Sequence, residues 1–222
     1  RRKITKTDPA GSIGSDTAQL AAFAPVIGID LDPLRLHMAQ ANLKALEPAY
    51  PTRFLLADLK AALPVRFNAG TSLFFDPARR DNQRRAFNVE AYQPALSTIK
   101  EWLKLSPNLG VKISPGVQTE ELEHYQAELE FVSLRGELKE ALLWFGGLNS
   151  AIRRATILPG PHSYVAPDEL VDTIPGLEGK HTPHHQALPV SEPLAYLIEP
   201  DAAILRAGLV QPLGLELGAS QL

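Results

Sequence analysis

The sequence predicts an open α/β fold: a mostly parallel sheet of seven strands, helices on both faces, and an antiparallel hairpin at one edge. Three observations lead there. Short runs rich in β-branched and aromatic residues alternate with segments of helical period, the pattern of a parallel sheet covered on both sides. Three of those runs finish on an acid, at Asp30, Asp58 and Asp76. Late in the chain, two apolar runs are joined by a polar connector too short for a crossover.

Taken in order, residues 1–7 (RRKITKT) read as the end of a first strand anchored on Ile4, and the chain is expected to begin inside a larger protein. Residues 16–24 read as a helix with Ser15 or Asp16 as N-cap, because their oxygens can accept from the free N–H groups of a first turn. Pro25 stops it. Residues 26–30 (VIGID) are a short buried strand. Residues 33–46 are a helix, with Pro33 suited to its first position, Asp32 as its cap, and Leu34, Met38, Ala41 and Ala45 as its apolar face. Strands follow at 53–58, 71–76 and 109–114, with a helix at 92–105 before the last of them. Residues 118–129 are expected to form a short acidic helix. Strands at 130–135 and 141–145 make the hairpin, and 153–158 reads as a further edge strand.

Beyond Pro159 the composition changes: nine of the 19 prolines lie between there and Leu222. Such a stretch is loop-rich and poorly able to build a core of its own. The expected organisation is therefore a ligand-binding domain at 1–165, a Pro-rich linker at 166–190, and the start of a truncated second domain at 191–222. His181, His184 and His185 fall in the linker, with no acid at ligand spacing, so no metal site is expected.

Composition excludes several classes. Hydrophobic residues make up 45 % of the 222, enough for a sizeable core. No apolar stretch approaches the roughly 20 residues that cross a bilayer, and no apolar run follows the basic N-terminus as a secretory signal would require. Cysteine is absent, which removes disulfides, thiolate metal sites and cysteine nucleophiles. A cytoplasmic protein without membrane contact is the expectation. The net charge of −3 excludes general affinity for nucleic acid. A local patch is another matter: of thirteen arginines, four crowd into Arg79, Arg80, Arg84 and Arg85.

The strand tips suggest a ligand. A glycine turn, Gly11-Ser12-Ile13-Gly14, precedes a strand that ends on Asp30. Glycines allow backbone to approach a ligand closely, and a carboxylate at the next strand tip can accept hydrogen bonds from two ribose hydroxyls. The spacing lacks the G-x-G-x-x-G form of a nicotinamide site, and a second tip acid at Asp58 is not expected there.

These residues together resemble class I S-adenosylmethionine-dependent methyltransferases, whose fold is Rossmann-like. The segment Asp8-Pro9-Ala10-Gly11-Ser12-Ile13-Gly14-Ser15-Asp16 resembles the family's first motif, around the methionine moiety. Gly28-Ile29-Asp30-Leu31-Asp32-Pro33 resembles the second, whose acid holds the ribose. Ala57-Asp58-Leu59 resembles the third, whose acid meets the adenine amino group, and Phe75-Asp76-Pro77-Ala78-Arg79 stands in the place of the catalytic fourth. The resemblance implies Asp8, Gly11, Gly14, Asp16, Asp30 and Asp58 as cofactor-binding residues and Asp76 with Pro77 as catalytic ones. Within the family, the chain resembles bacterial methyltransferases that carry a THUMP-like C-terminal domain, with 199–209 similar to the start of that domain. Its first two motifs are also similar to those of trimethylguanosine synthase. Two positions depart from the pattern. Ser12 replaces a glycine, which narrows the room for backbone approach. Ala78-Arg79 replaces the Pro-aromatic pair of amino-methylating enzymes, so amino-group methylation is not implied.

Methyl transfer is an in-line displacement, so an enzyme must bring nucleophile and methyl together and remove a proton from the nucleophile. Asp76, on the Pro77 turn, can hold a nucleobase nitrogen and accept its hydrogen bond. Guanidinium forks at Arg79, Arg80, Arg84 and Arg85 suit phosphate oxygens, and an RNA base is the expected substrate. Two alternatives stand beside it: methylation of a small molecule or protein, or a binding module that keeps the cofactor fold without catalysis. Lys112 is left open between the pocket and the flank of the sheet. The oligomeric state is not legible.

Overall fold

The computed structural model describes residues 5–9, 13–61, 63, 65–68, 70–78, 80–81, 84–85, 88–122, 124–167 and 187–222, with backbone alone at 5–9, 80–81 and 84–85. The chain divides into two compact units, Arg1–Ile113 with Phe145–Leu148, and Ser114–Trp144 with Asn149–Leu222. This division falls elsewhere than the expected boundaries near 165 and 191. Among the described residues no helix is long and apolar enough to cross a membrane.

In the first unit the elements run β1 (Thr5–Pro9), α1 (Ser15–Leu20), β2 (Val26–Asp30), α2 (Pro33–Leu46), β3 (Thr52–Leu56), β4 (Thr71–Phe75), β5 (Arg80–Asp81), β6 (Arg84–Arg85), α3 (Ile99–Leu105) and β7 (Leu109–Ile113). Five strands form a parallel array in the order β7-β4-β1-β2-β3, and β5 with β6 make a small antiparallel ribbon. The order reverses at β1, which lies between β4 and β2. Every one of these strands ends at the same edge, so the crevice belongs beside the carboxyl ends of β1 and β4.

Burial explains the strand runs. Ile29, Leu73, Phe75, Leu109, Val111 and Ile113 are at most 1 % exposed, and the Phe75 ring meets Trp102 of α3 edge-on at 4.9 Å. Helix α2 matches the expected span, and the Asp32 carboxylate caps it by accepting from Leu34 N at 2.8 Å. Its buried face does not match. Leu36, Ala39 and Leu43 face inward, whereas Leu34 and Met38 are 61 % and 46 % exposed. Apolar residues occur all round this helix, so two stripes of helical period were available, and the seat for the Gly14 turn selects the second. Gly14 has φ 89°, and a Cβ there would lie 2.9 Å from both Ala39 Cβ and Leu43 Cδ1. That close approach also corrects the start of α1: Gly14 itself is the N-cap, without a side-chain cap, and the helix ends at Leu20 rather than Ala24. The helix expected at 92–105 is α only from Ile99, preceded by 3-10 turns at Val89–Ala91 and Leu96–Thr98. Pro94 lies between the turns and can supply no N–H to a helix.

The second unit contains β8 (Glu128–Leu134), β9 (Glu137–Trp144), β10 (Arg153–Leu158), β11 (His162–Tyr164), α4 (Ala202–Ala207) and α5 (Val210–Glu216). Its strand order is β11-β10-β8-β9. The antiparallel hairpin β8–β9 forms as expected, but its connector is only Arg135-Gly136. Both have positive φ, 54° and 80°, the geometry of a tight primed turn. Strand β10 is not an edge here: it runs parallel to β8 and carries β11 on its other side. Among the described residues, and leaving the β5–β6 ribbon aside, the first unit contributes five sheet strands and the second four, more than the expected seven. The acidic helix expected at 118–129 is a 3-10 turn at Thr119–Leu122, and Glu128 and Leu129 already belong to β8. Burial of Leu122, Tyr125 and Leu129 overrides the helical preference of the glutamates.

Instead of standing apart, the C-terminal segment covers this sheet. Helix α4 packs on β8 and β10 through Ala203, Ile204 and Ala207. Its Arg206 guanidinium donates to the carbonyls of Pro115 (3.0 Å) and Val117 and lies 5.1 Å over the Phe131 ring. Glu128, 1 % exposed, is saturated by Ser150 N, Ser150 Oγ, Ala151 N and the Arg154 guanidinium. The expected linker lies largely outside the described residues, as do His181, His184 and His185.

Candidate active site

The sheet order brings strand tips of the first unit to one edge. Asp76 follows β4 directly. Its path is fixed one turn on, where Ala78 and Gln93 exchange backbone hydrogen bonds at 3.2 and 3.0 Å around a buried Pro77. On the next strand, Phe75 lies opposite Val111, so the following pair in the same parallel register is Asp76 beside Lys112. The Lys112 Nζ stands 3.5 Å from Asp76 Oδ2 and 3.6 Å from Asp16 Oδ2. Asp16 sits in the first turn of α1, directly after the glycine turn. An acid of the turn and the acid of the fourth motif are thus brought together by a lysine that motif reading left undecided. No sequence spacing reveals this, because it depends on the β4–β7 register.

Across β1, a different acid is held ready. Asp30 ends β2 and is 6 % exposed. Its Oδ1 accepts from Asp32 N at 2.8 Å. Its Oδ2 is buried and has no hydrogen-bond partner among the described residues; the Arg35 guanidinium is 4.0 Å away. A buried carboxylate oxygen without a donor is costly. Its place at a strand tip suits a ligand hydroxyl. Arg35 is a second residue that motif reading missed, and it stands 3.6 Å from Asp32 as an i,i+3 partner on the first turn of α2.

Asp58 lies two residues past β3 rather than on its tip. It is exposed, and its Oδ1 closes a turn by accepting from Lys60 N at 2.9 Å. Ala57 N donates to the Asp30 carbonyl at 3.1 Å, which ties the start of this loop to the end of β2. Leu31, immediately after Asp30, is 65 % exposed and leaves an apolar side chain in the open beside the tip.

Asp8 occupies β1 opposite Gly28, with Pro9 opposite Ile29, so its backbone is one strand away from Asp30. Gly28 is itself required by packing, since a Cβ there would meet the Phe54 ring at 2.8 Å. Gly11, Ser12 and Arg79 lie outside the described residues. The backbone of β5 and β6 places Arg80 opposite Arg85 and Asp81 opposite Arg84, on the segment that leaves Ala78.

No protein-family model matches the chain. In sequence it is 35 % identical to an uncharacterized S-adenosylmethionine-dependent methyltransferase of Mycobacterium tuberculosis, present in two strains; the match covers 97 % of this chain and 55 % of that protein. The chain therefore spans about half the length of the curated relatives it matches. Among solved structures, a Porphyromonas gingivalis protein provisionally described as a methyltransferase superposes with a TM-score of 0.74 at 22 % identity, over 98 % of this chain and 54 % of that one. That likeness shows the fold, a Rossmann-like methyltransferase fold.

Proposed function

We propose that the chain carries the cofactor-binding and catalytic part of an S-adenosylmethionine-dependent methyltransferase, and that the substrate is an RNA base. One observation supports the cofactor above all: the open, buried Oδ2 of Asp30 at the tip of β2, one strand from the reversal in strand order. A ribose diol offers the hydrogen-bond donor this oxygen lacks, so the residues fit the group. The curated relatives carry the same cofactor in their description.

When bound, S-adenosylmethionine supplies a methyl group on a cationic sulfur. The chain's own residues do the rest. Asp30 holds the ribose, Asp58 meets the adenine from the neighbouring loop, and Asp8, Gly11, Gly14 and Asp16 line the methionine side. Asp76, on the turn fixed by Pro77 and the Ala78–Gln93 pair, accepts a hydrogen bond from the acceptor N–H and takes its proton as the displacement proceeds. Arg79, Arg80, Arg84 and Arg85 hold phosphate oxygens of the substrate. In this reading the segment from Glu192, whose helix α4 lies on the sheet of the second unit, brings the THUMP-like RNA-associated domain.

The test is incubation of the full-length protein with radiolabelled donor and total cellular RNA, followed by nucleoside analysis. Label in a single modified nucleoside is expected. Retention of structured RNA should weaken with salt and be lost on replacing Arg79 and Arg80. Label confined to protein or small molecules would move the assignment to another substrate. Donor binding without transfer to any acceptor would leave a non-catalytic module.

A further inference from the structure

We infer that Lys112 is a positioning residue for the reaction: its ammonium ties the acid that meets the acceptor to the acid beside the donor turn, so that donor and acceptor share one geometry. This rests on the proposed function. Three features support it. Val111 and Ile113, its neighbours on β7, are 0 % exposed, and strand alternation turns Lys112 to the opposite face. There its side chain is only 13 % exposed, an enclosure that lysines seldom reach without a partner. The Nζ distances to Asp76 and Asp16, 3.5 and 3.6 Å, are nearly equal, so the ammonium stands between the two carboxylates. Without Lys112, Asp16 and Asp76 would face each other as like charges, and the Asp76 carboxylate would turn away from the acceptor.

The experiment compares Lys112→Gln with Lys112→Arg in the full-length protein, reading donor affinity by calorimetry and transfer by initial rates. Lys112→Gln should lower kcat about 100-fold, the loss that a displacement near 1 Å produces, while the donor dissociation constant moves less than about threefold. Lys112→Arg keeps the charge and should recover kcat to within about tenfold of wild type, its planar fork fitting two separate oxygens less well than an ammonium does. A residue needed only for the fold would not divide the effect between kcat and affinity in this way.

A second variant covers the case in which Lys112→Gln does not fold. The double variant Asp76→Asn with Lys112→Gln removes both charges of one pair and should be no slower than Asp76→Asn alone, within about threefold. Unchanged kcat in Lys112→Gln, or a double variant far slower than Asp76→Asn, overturns the inference while leaving the proposed function standing. A wild-type protein that binds no donor overturns both.

Discussion

Two buried carboxylates, one in each unit, are treated in opposite ways. Glu128 of the second unit accepts from two backbone N–H groups, a hydroxyl and a guanidinium. Asp30 of the first unit accepts from one backbone N–H and keeps a buried oxygen with no donor among the described residues. A chain can bury a charge for the sake of its own fold, and then it supplies the partners. It can also bury a charge for something it does not contain, and then it leaves the partner out. Lys112 follows neither pattern: its ammonium is enclosed between carboxylates of two other segments, Asp16 in the first turn of α1 and Asp76 directly after β4.

The comparison breaks most sharply at Glu128. Glu128→Ala removes the acceptor of four donors and leaves the half-buried Arg154 without its carboxylate. Stability should fall by about 3 kcal/mol, with the donor dissociation constant unchanged. Chemical denaturation and calorimetry on the same sample check both halves. An equal loss of donor affinity would mean that Glu128 also serves the ligand, and the contrast would fail.

Asp30→Asn tests the opposite side. The amide oxygen still accepts from Asp32 N, and a buried charge disappears, so stability should hold or rise within about 1 kcal/mol. Donor affinity should drop about 100-fold, because hydrogen bonds to a charged acceptor each contribute roughly 1.5–3 kcal/mol. A variant that unfolds easily yet binds normally would make Asp30 a second Glu128.

How much of this was legible in the sequence follows the same divide. Val26–Asp30 and the Pro33–Leu46 helix could be read to the residue, because a short β-branched run and an Asp-Pro start are local signals. The acids Asp30, at the tip of β2, and Asp76, directly after β4, were legible for the same reason, whereas Asp58 falls two residues past the end of β3. What was not legible depends on partners distant in sequence. The inward face of α2 was set by Gly14, 25 and 29 positions before Ala39 and Leu43. The glutamates at 120–121 suggested a helix, and burial of Leu122 and Tyr125 decided against it. Lys112 acquired its meaning only from the strand beside it, and the C-terminal helix α4 only from the sheet it covers.

Gly14 carries the smallest and most discriminating effect. Motif reading gives it to the ligand; the structure gives it a second task, since its φ of 89° and the 2.9 Å approaches to Ala39 and Leu43 leave no space for a Cβ. Gly14→Ala should therefore cost about 1–3 kcal/mol of stability from strain and from displacement of α2. If packing is its whole task, donor affinity measured well below the melting temperature should stay within about threefold of wild type, since local strain of this size is absorbed by the helix pair. A larger loss would place Gly14 with Asp30, among the residues shaped for the ligand. The turn would then serve fold and ligand through one missing side chain.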